Sequence, residues 1–160
     1  MRIIIEGNDG AGKSTLAKRL LEDLNINTFI HLTNKDPRDY MFYSELLNKT
    51  DVIFDRHFIS DPIYNKVFKR KSELNKSDRE ALFAKVARQQ SWRETLVIIC
   101  TAPSIHKDDE FKAVVKNKEM IDKLYLETAK EHGYVTYDYR NQSYEGLVNM
   151  IKEFFKWKTI

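Results

Sequence analysis

Ile3-Ile4-Ile5-Glu6-Gly7-Asn8-Asp9-Gly10-Ala11-Gly12-Lys13-Ser14-Thr15 opens the chain with an apolar run, a glycine-rich turn and a lysine followed by two hydroxyl residues. Residues 7–14 satisfy GxxxxGK[ST], and they stand where that pattern works, after a candidate strand and at the mouth of a candidate helix. Glycines let backbone N–H groups curl around phosphate oxygens, and the helix N-terminus adds partial positive charge. The stretch Asp9, Gly10, Ala11, Gly12, Lys13, Ser14 and Thr15 therefore reads as a nucleoside triphosphate site, with Lys13 reaching the β and γ phosphates and Ser14 ligating Mg²⁺.

Working outward, short apolar runs alternate with longer segments of helical period, the signature of βαβ units and a parallel sheet. Residues 3–6, 28–32, 52–55, 96–100 and 135–139 are the expected strands, with the first, third and fourth the most deeply buried. Helices are expected over residues 13–24, roughly 39–48, a middle pair within 62–90, 118–131 and 144–156. Leu16, Leu20, Leu21 and Leu24 recur at helical spacing, as do Leu147, Ile151 and Phe154, so both sets are expected to face the core. No repeat or Pro/Gly/Ser-rich linker interrupts the 160 residues, which points to one domain spanning 1–160. Residues 69–80 and 106–118 are dense in charge and poor in large apolar side chains, and the second follows a strand end, where ligands bind in α/β folds.

Composition narrows the function classes. A net charge of +3, from 27 basic and 24 acidic residues, is too small to imply nucleic-acid binding by itself, but it suits phosphate-bearing small molecules as partners. The apolar run at Ile3 ends at Glu6, far short of a signal-peptide core, and no stretch is long enough to span a bilayer. The single cysteine, Cys100, lies in an apolar run and suits a reducing cytoplasm, the expected location. A GTPase would be expected to carry a DxxG segment and an NKxD reader. The only DxxG is residues 9–12, inside the glycine loop itself, and Asn34-Lys35-Asp36 lacks the spacer.

Val52-Ile53-Phe54-Asp55-Arg56 ends a buried strand with an acid and a base side by side, at the sheet edge where the glycine loop also opens. Asp55 can hold Mg²⁺ or take a proton, and Arg56 can clamp phosphoryl groups as charge moves, which makes Lys13, Asp55 and Arg56 the candidate catalytic residues. Ser14 and Asp55 are the candidate metal ligands. Ser60 and Tyr64 follow one helical turn apart.

The stretch from Glu6 to Thr15 resembles the opening of thymidylate kinases, and Asp55-Arg56-His57 with Ser60 and Tyr64 resembles their DRY segment. The resemblance implies a three-layer α/β/α P-loop fold, a five-stranded parallel sheet of order 2-3-1-4-5 and a helical lid. It also implies ATP as donor, Mg²⁺ as cofactor and a deoxynucleoside monophosphate, thymidylate favoured, as acceptor. On that basis Asp9, Arg38, Phe42, Tyr43, Arg56, Ser60 and Tyr64 are the acceptor candidates, with Arg70 a further cation that can touch it. The same basis makes Arg140 and Asn141 the adenine candidates, Arg140 by stacking its planar guanidinium. Family members with glycine at the position of Gly10 usually carry a basic catalytic residue in the lid, which points to Lys107, Lys112 and Lys116 in a lid of about 106–118. Homodimers are common in that family, and reduced viral kinases share the compact form, so a phage-encoded protein acting in the host cytoplasm fits the pattern.

His57 replaces the usual Tyr and Asn65 the usual Gln, departures placed on the acceptor side. Three other readings follow from the same residues. A nucleoside kinase would use the strand-end acid as base toward a sugar hydroxyl. A kinase of a hydroxyl on a modified DNA base would need a basic groove. A nucleotide-dependent switch or binding module would keep the loop and give Asp55 and Arg56 no chemistry.

Overall fold

The computed structural model describes residues 1–103 and 112–156, with the side chains of 112–115 left aside. Five strands, β1 (Arg2–Gly7), β2 (Thr28–His31), β3 (Val52–Asp55), β4 (Thr95–Cys100) and β5 (Val135–Tyr137), form one parallel sheet of order β2-β3-β1-β4-β5. The helices are α1 (Lys13–Asp23), α2 (Tyr40–Leu46), α3 (Ser60–Phe68), α4 (Lys76–Ser91), α5 (Lys112–His132) and α6 (Tyr144–Phe155). Strand order and three-layer architecture both match the expectation from sequence.

Strand alternation divides the core in two. Ile3, Ile5, Ile53, Leu96, Ile98 and Cys100 pack with α1 and α6, while Ile4, Val52, Phe54, Val97 and Ile99 pack beneath α2, α3, α4 and α5. β1, β3 and β4 are buried along their whole length because helices cover both faces, whereas edge strand β2 is largely exposed. Burying each isoleucine of β1 contributes about 1.5–3 kcal/mol. Burial also pushes the Cys100 thiol up to about 12, which leaves it a packing group. On α1, Leu16 and Leu20 are buried with Ala17, while Leu21 and Leu24 pack at the margin. In α6 the fully packed aromatic is Phe155, with Phe154 only partly covered.

Asp39, Asn75 and Ser143 cap α2, α4 and α6 by accepting the N–H of Phe42, Asp78 and Gly146. The middle pair resolves into α3 and α4, with residues 69–75 between them. α5 begins at Lys112 rather than 118, so the expected lid overlaps a helix: lysine favours helix well enough that charge density does not mark a loop. Lys112 opens this helix, Lys116 is exposed on its first turns, and Lys107 lies outside the described residues. β5 stops at Tyr137, which releases Asp138 and Tyr139 into the following turn. Among the described residues no helix is long and apolar enough to cross a membrane.

Two glycines offer a matched test of backbone geometry. Gly7 has φ 142° and a Cβ there would lie 2.5 Å from the Cys100 carbonyl oxygen, whereas Gly133 has φ 66° and open space around it. Gly133→Ala should cost about 1 kcal/mol for its left-handed backbone alone, and Gly7→Ala clearly more because a backbone oxygen must also move. Equal urea midpoints for the two variants would contradict this account.

Candidate active site

β1 lies where successive crossovers turn to opposite sides of the sheet, so its C-terminal end opens into the crevice where α/β folds bind ligands. Gly7 to Gly12 curl there, with positive φ at Gly7, Gly10 and Gly12, and α1 starts at Lys13. Asn8 anchors the curl. Its side-chain amide donates to the Lys118 carbonyl and to Asp122 Oδ1, both at 2.9 Å, and its Oδ1 accepts the N–H of Asp9 at 2.8 Å. Its backbone carbonyl holds the ammonium of Lys13 at 2.7 Å. Burial and the neighbouring Arg56 lower Lys13 from its ordinary value.

Parallel pairing of β1 with β3 sets Ile5 opposite Asp55, which brings the second constellation to the loop. Ser14 Oγ donates to Asp55 Oδ2 at 3.0 Å, and His31 Nδ1 lies 2.9 Å from the same oxygen. His31 was not among the sequence candidates. Its signal was register, since β2 pairs with β3 so that His31 stands opposite Asp55. Asp55 Oδ1 is buried without a hydrogen-bond partner among the described residues, so a hydroxyl, a carboxylate and an unused carboxylate oxygen meet at one point. That hard-oxygen set fits Mg²⁺, which keeps most of its shell for water and phosphates.

Arg56 takes a left-handed backbone, φ 74°, at a cost of about 1–2 kcal/mol. Two bonds hold it there: its N–H donates to the Ile5 carbonyl at 2.9 Å, and the next N–H, of His57, donates to Glu6 Oε1 at 2.7 Å. The turn throws the guanidinium back across the loop, where it pairs with Asp9 and lies over the Tyr64 ring. Glu6 is fully buried and also accepts the Tyr125 hydroxyl from α5 at 3.2 Å. Burial pushes its carboxyl up to about 7 despite the opposing charges of Arg56 and Lys13.

Asp9, Gly10, Gly12, Lys13, Ser14, Thr15, Asp55 and Arg56 thus line one cavity of about 650 Å³. Ala11 does not line it, because its methyl is packed in the core. The far wall is Arg19, Tyr137, Tyr139, Gln142 and Tyr144, none of them a sequence candidate. Arg19 lies 3.5 Å above the Tyr144 ring, whose hydroxyl donates to Asp23 at 2.6 Å, and the Tyr139 ring is so close to Gly12 that a Cβ there would meet it at 3.1 Å. Tyrosines at 137, 139 and 144, clustered from the end of the last strand onward, were the available signal. Arg140 and Asn141 do not line this cavity: the Nε and one terminal nitrogen of Arg140 bind Asp138, at 3.0 and 2.7 Å, and the Asn141 amide turns to the same carboxylate.

On the acceptor side the candidates scatter. Tyr43 is buried against His57 and Phe58, and Phe42 packs half-buried on the core. Arg38 reaches back to the Asn34 carbonyl, and Ser60 Oγ donates to the His57 carbonyl. His57 is a core residue, ringed by Tyr43, Phe54 and Phe58 at 4.9–5.5 Å, with neither ring nitrogen bonded among the described residues. Burial and the charge of Arg2 drive it down to about 3, so it is a neutral aromatic. The buried Asn65 likewise does not open onto this cavity.

No family model and no curated protein matches the chain. Solved structures do. The YorR protein of Bacillus subtilis, crystallised with phosphorylated GDP, is similar with a TM-score of 0.73 at 22% identity, over 99% of this chain and 98% of that one. Deoxyadenosine kinase from M. mycoides with bound dATP gives 0.57 at 20% identity, over 98% and 100%. Thymidylate kinase from Candida albicans gives 0.55 at 16%, over 99% and 92%. At such identities the likeness is one of fold.

The buried pair Glu6 and His57 yields a pH prediction. Glu6, raised from 4.5 to about 7, binds its proton more tightly when folded, so its contribution falls as pH climbs between those values. His57, lowered from 6.5 to about 3, acts in the opposite sense between about 3 and 6.5. Glu6→Gln removes the first effect alone. Urea denaturation across pH 4.5 to 7 should show wild-type stability declining by roughly 3 kcal/mol relative to the variant. A pH-independent difference would contradict the buried carboxyl.

Proposed function

We propose that this chain is a Mg²⁺-dependent kinase that transfers the γ-phosphoryl group of ATP to a deoxynucleoside monophosphate, with thymidylate the favoured acceptor. The observation that carries this reading is the Asp9–Arg56 pair at the rim of the cavity that Lys13 and Ser14 line. It sets a cation where an acceptor phosphate would enter and an acid where a sugar hydroxyl would follow. Ser14 and Asp55 would hold Mg²⁺, which when bound would supply charge neutralisation for the donor phosphates. Lys13 would leave the Asn8 carbonyl for the β and γ phosphates, and Arg56 would exchange Asp9 for the acceptor phosphate and the moving group.

The bond between γ-phosphorus and the β,γ-bridging oxygen breaks as an acceptor phosphate oxygen bonds to that phosphorus, giving ADP and the nucleoside diphosphate. A phosphate nucleophile is already ionised and needs no strong base. Asp55 is then left to the metal, with Oδ2 accepting Ser14 Oγ beside His31 and Oδ1 without a partner among the described residues. A nucleoside acceptor would instead need an acid to take the hydroxyl proton. Among the lid candidates, Lys116 stands exposed on α5 and Lys112 opens that helix, and each is proposed, with Lys107, as a carrier of the extra positive charge.

Incubation with Mg-ATP and each nucleoside or monophosphate in turn, followed by separation of labelled products, tests the reading. Diphosphate formation from monophosphates is expected, thymidylate fastest. Lys13→Ala and Arg56→Ala should each lower turnover by about 10²–10³ with circular dichroism unchanged. Transfer to nucleosides but not monophosphates, or near-normal turnover of Arg56→Ala, would overturn it.

A further inference from the structure

Arg56 begins a ladder that leads away from the cavity. Its guanidinium lies 5.1 Å from the Tyr64 ring centroid, Tyr64 stacks on Phe68 at 6.1 Å with planes 19° apart, and Arg70 lies 4.9 Å from the Phe68 centroid. Ser60, Tyr64 and Phe68 recur every fourth residue, so they share one face of α3, and the eight steps from Ser60 to Phe68 cover about 12 Å. Exposure rises along it: the Arg56 side chain is 17% exposed, Phe68 41%, and Arg70 open to solvent.

The outer end of the ladder is held in place. Lys69 adopts the left-handed cap, φ 51°, and the N–H of Arg70 donates to the Asn65 carbonyl, which folds Arg70 back over Phe68. Ser72 Oγ then donates to the buried Asp61 at 2.6 Å, and Leu74 is buried. An exposed aromatic ring thus sits beside Lys69, Arg70 and Lys71, with no acidic residue in 66–71 and no ion pair to any of these three cations among the described residues. A solvated basic face needs no exposed ring, and an apolar contact needs no three unpaired cations. A polyanion that presents flat rings satisfies both, because bases stack on aromatics while cations track the backbone.

We propose that the outer end of this ladder binds single-stranded nucleic acid, with a base taking the place of Arg70 on the exposed Phe68 ring and phosphates on Lys69, Arg70 and Lys71.

Fluorescence anisotropy of the full chain with a labelled 12-nucleotide oligothymidylate, over a salt series, tests it. Binding should weaken linearly in log–log salt, Phe68→Ala should weaken it about fivefold or more without altering the slope, and Arg70→Ala with Lys71→Ala should lower the slope by about 0.7 per cation removed. The proposal fails if the oligonucleotide does not bind at 50 mM salt, if Phe68→Ala binds like wild type, or if polyglutamate of equal charge competes as well as unlabelled oligonucleotide. Mononucleotide phosphorylation by the same preparation separates the two readings. Oligonucleotide binding without transfer to any mononucleotide sinks the kinase reading alone, and transfer without binding sinks this one alone.

Discussion

The carboxyl of Glu6 is the constraint on which the site depends. It stands at the end of β1, fully buried, and accepts the N–H of His57 from the turn after β3 and the hydroxyl of Tyr125 from α5. The first bond holds Arg56 in a backbone conformation that an L-residue adopts only when its surroundings impose it. Without that turn the β3 chain would carry the guanidinium away from the glycine loop. The second bond ties the same carboxyl to the helix that follows the expected lid, so one buried group relates three elements.

The principal charges of the site have internal partners. Lys13 rests on the Asn8 carbonyl, Arg56 on Asp9, and Ser14 with His31 on one oxygen of Asp55. Such pairing lets a concentrated set of polar groups sit in a partly dry cavity, with the second oxygen of Asp55 left without a partner among the described residues. On the proposed function, ligand binding would be an exchange of partners, in which phosphates and metal replace contacts already made. Asn8 links this exchange to α5 through Lys118 and Asp122, so strain in the loop is felt at the helix.

The glycine-loop half of the cavity was legible because its residues are contiguous. A loop that wraps phosphate with its own backbone must be written as one stretch, and Gly7 to Ser14 is such a stretch. Asp55 and Arg56 were legible for a related reason: a buried strand that ends in two charges has little other use for them. The opposite wall was not. Arg19, Tyr139, Gln142 and Tyr144 come from α1 and from the turn around α6, and nothing in their spacing says that they converge. Arg140 shows the same limit, since a guanidinium that looks free in sequence is paired in space once Asp138 lies two residues away in a tight turn.

By itself the sequence determined the parallel α/β sheet, its strand order through resemblance, and the glycine loop between β1 and α1, because hydrophobic period and glycine placement are local properties. Tertiary structure alone decided that His57 is a neutral core ring rather than an acceptor contact, and that His31 stands on Asp55. It alone decided that Tyr64, Phe68 and Arg70 continue outward from Arg56. Each of these turns on which side of a strand or helix a residue occupies and on what a distant segment places beside it. Burial and register fix that only when the whole sheet has closed.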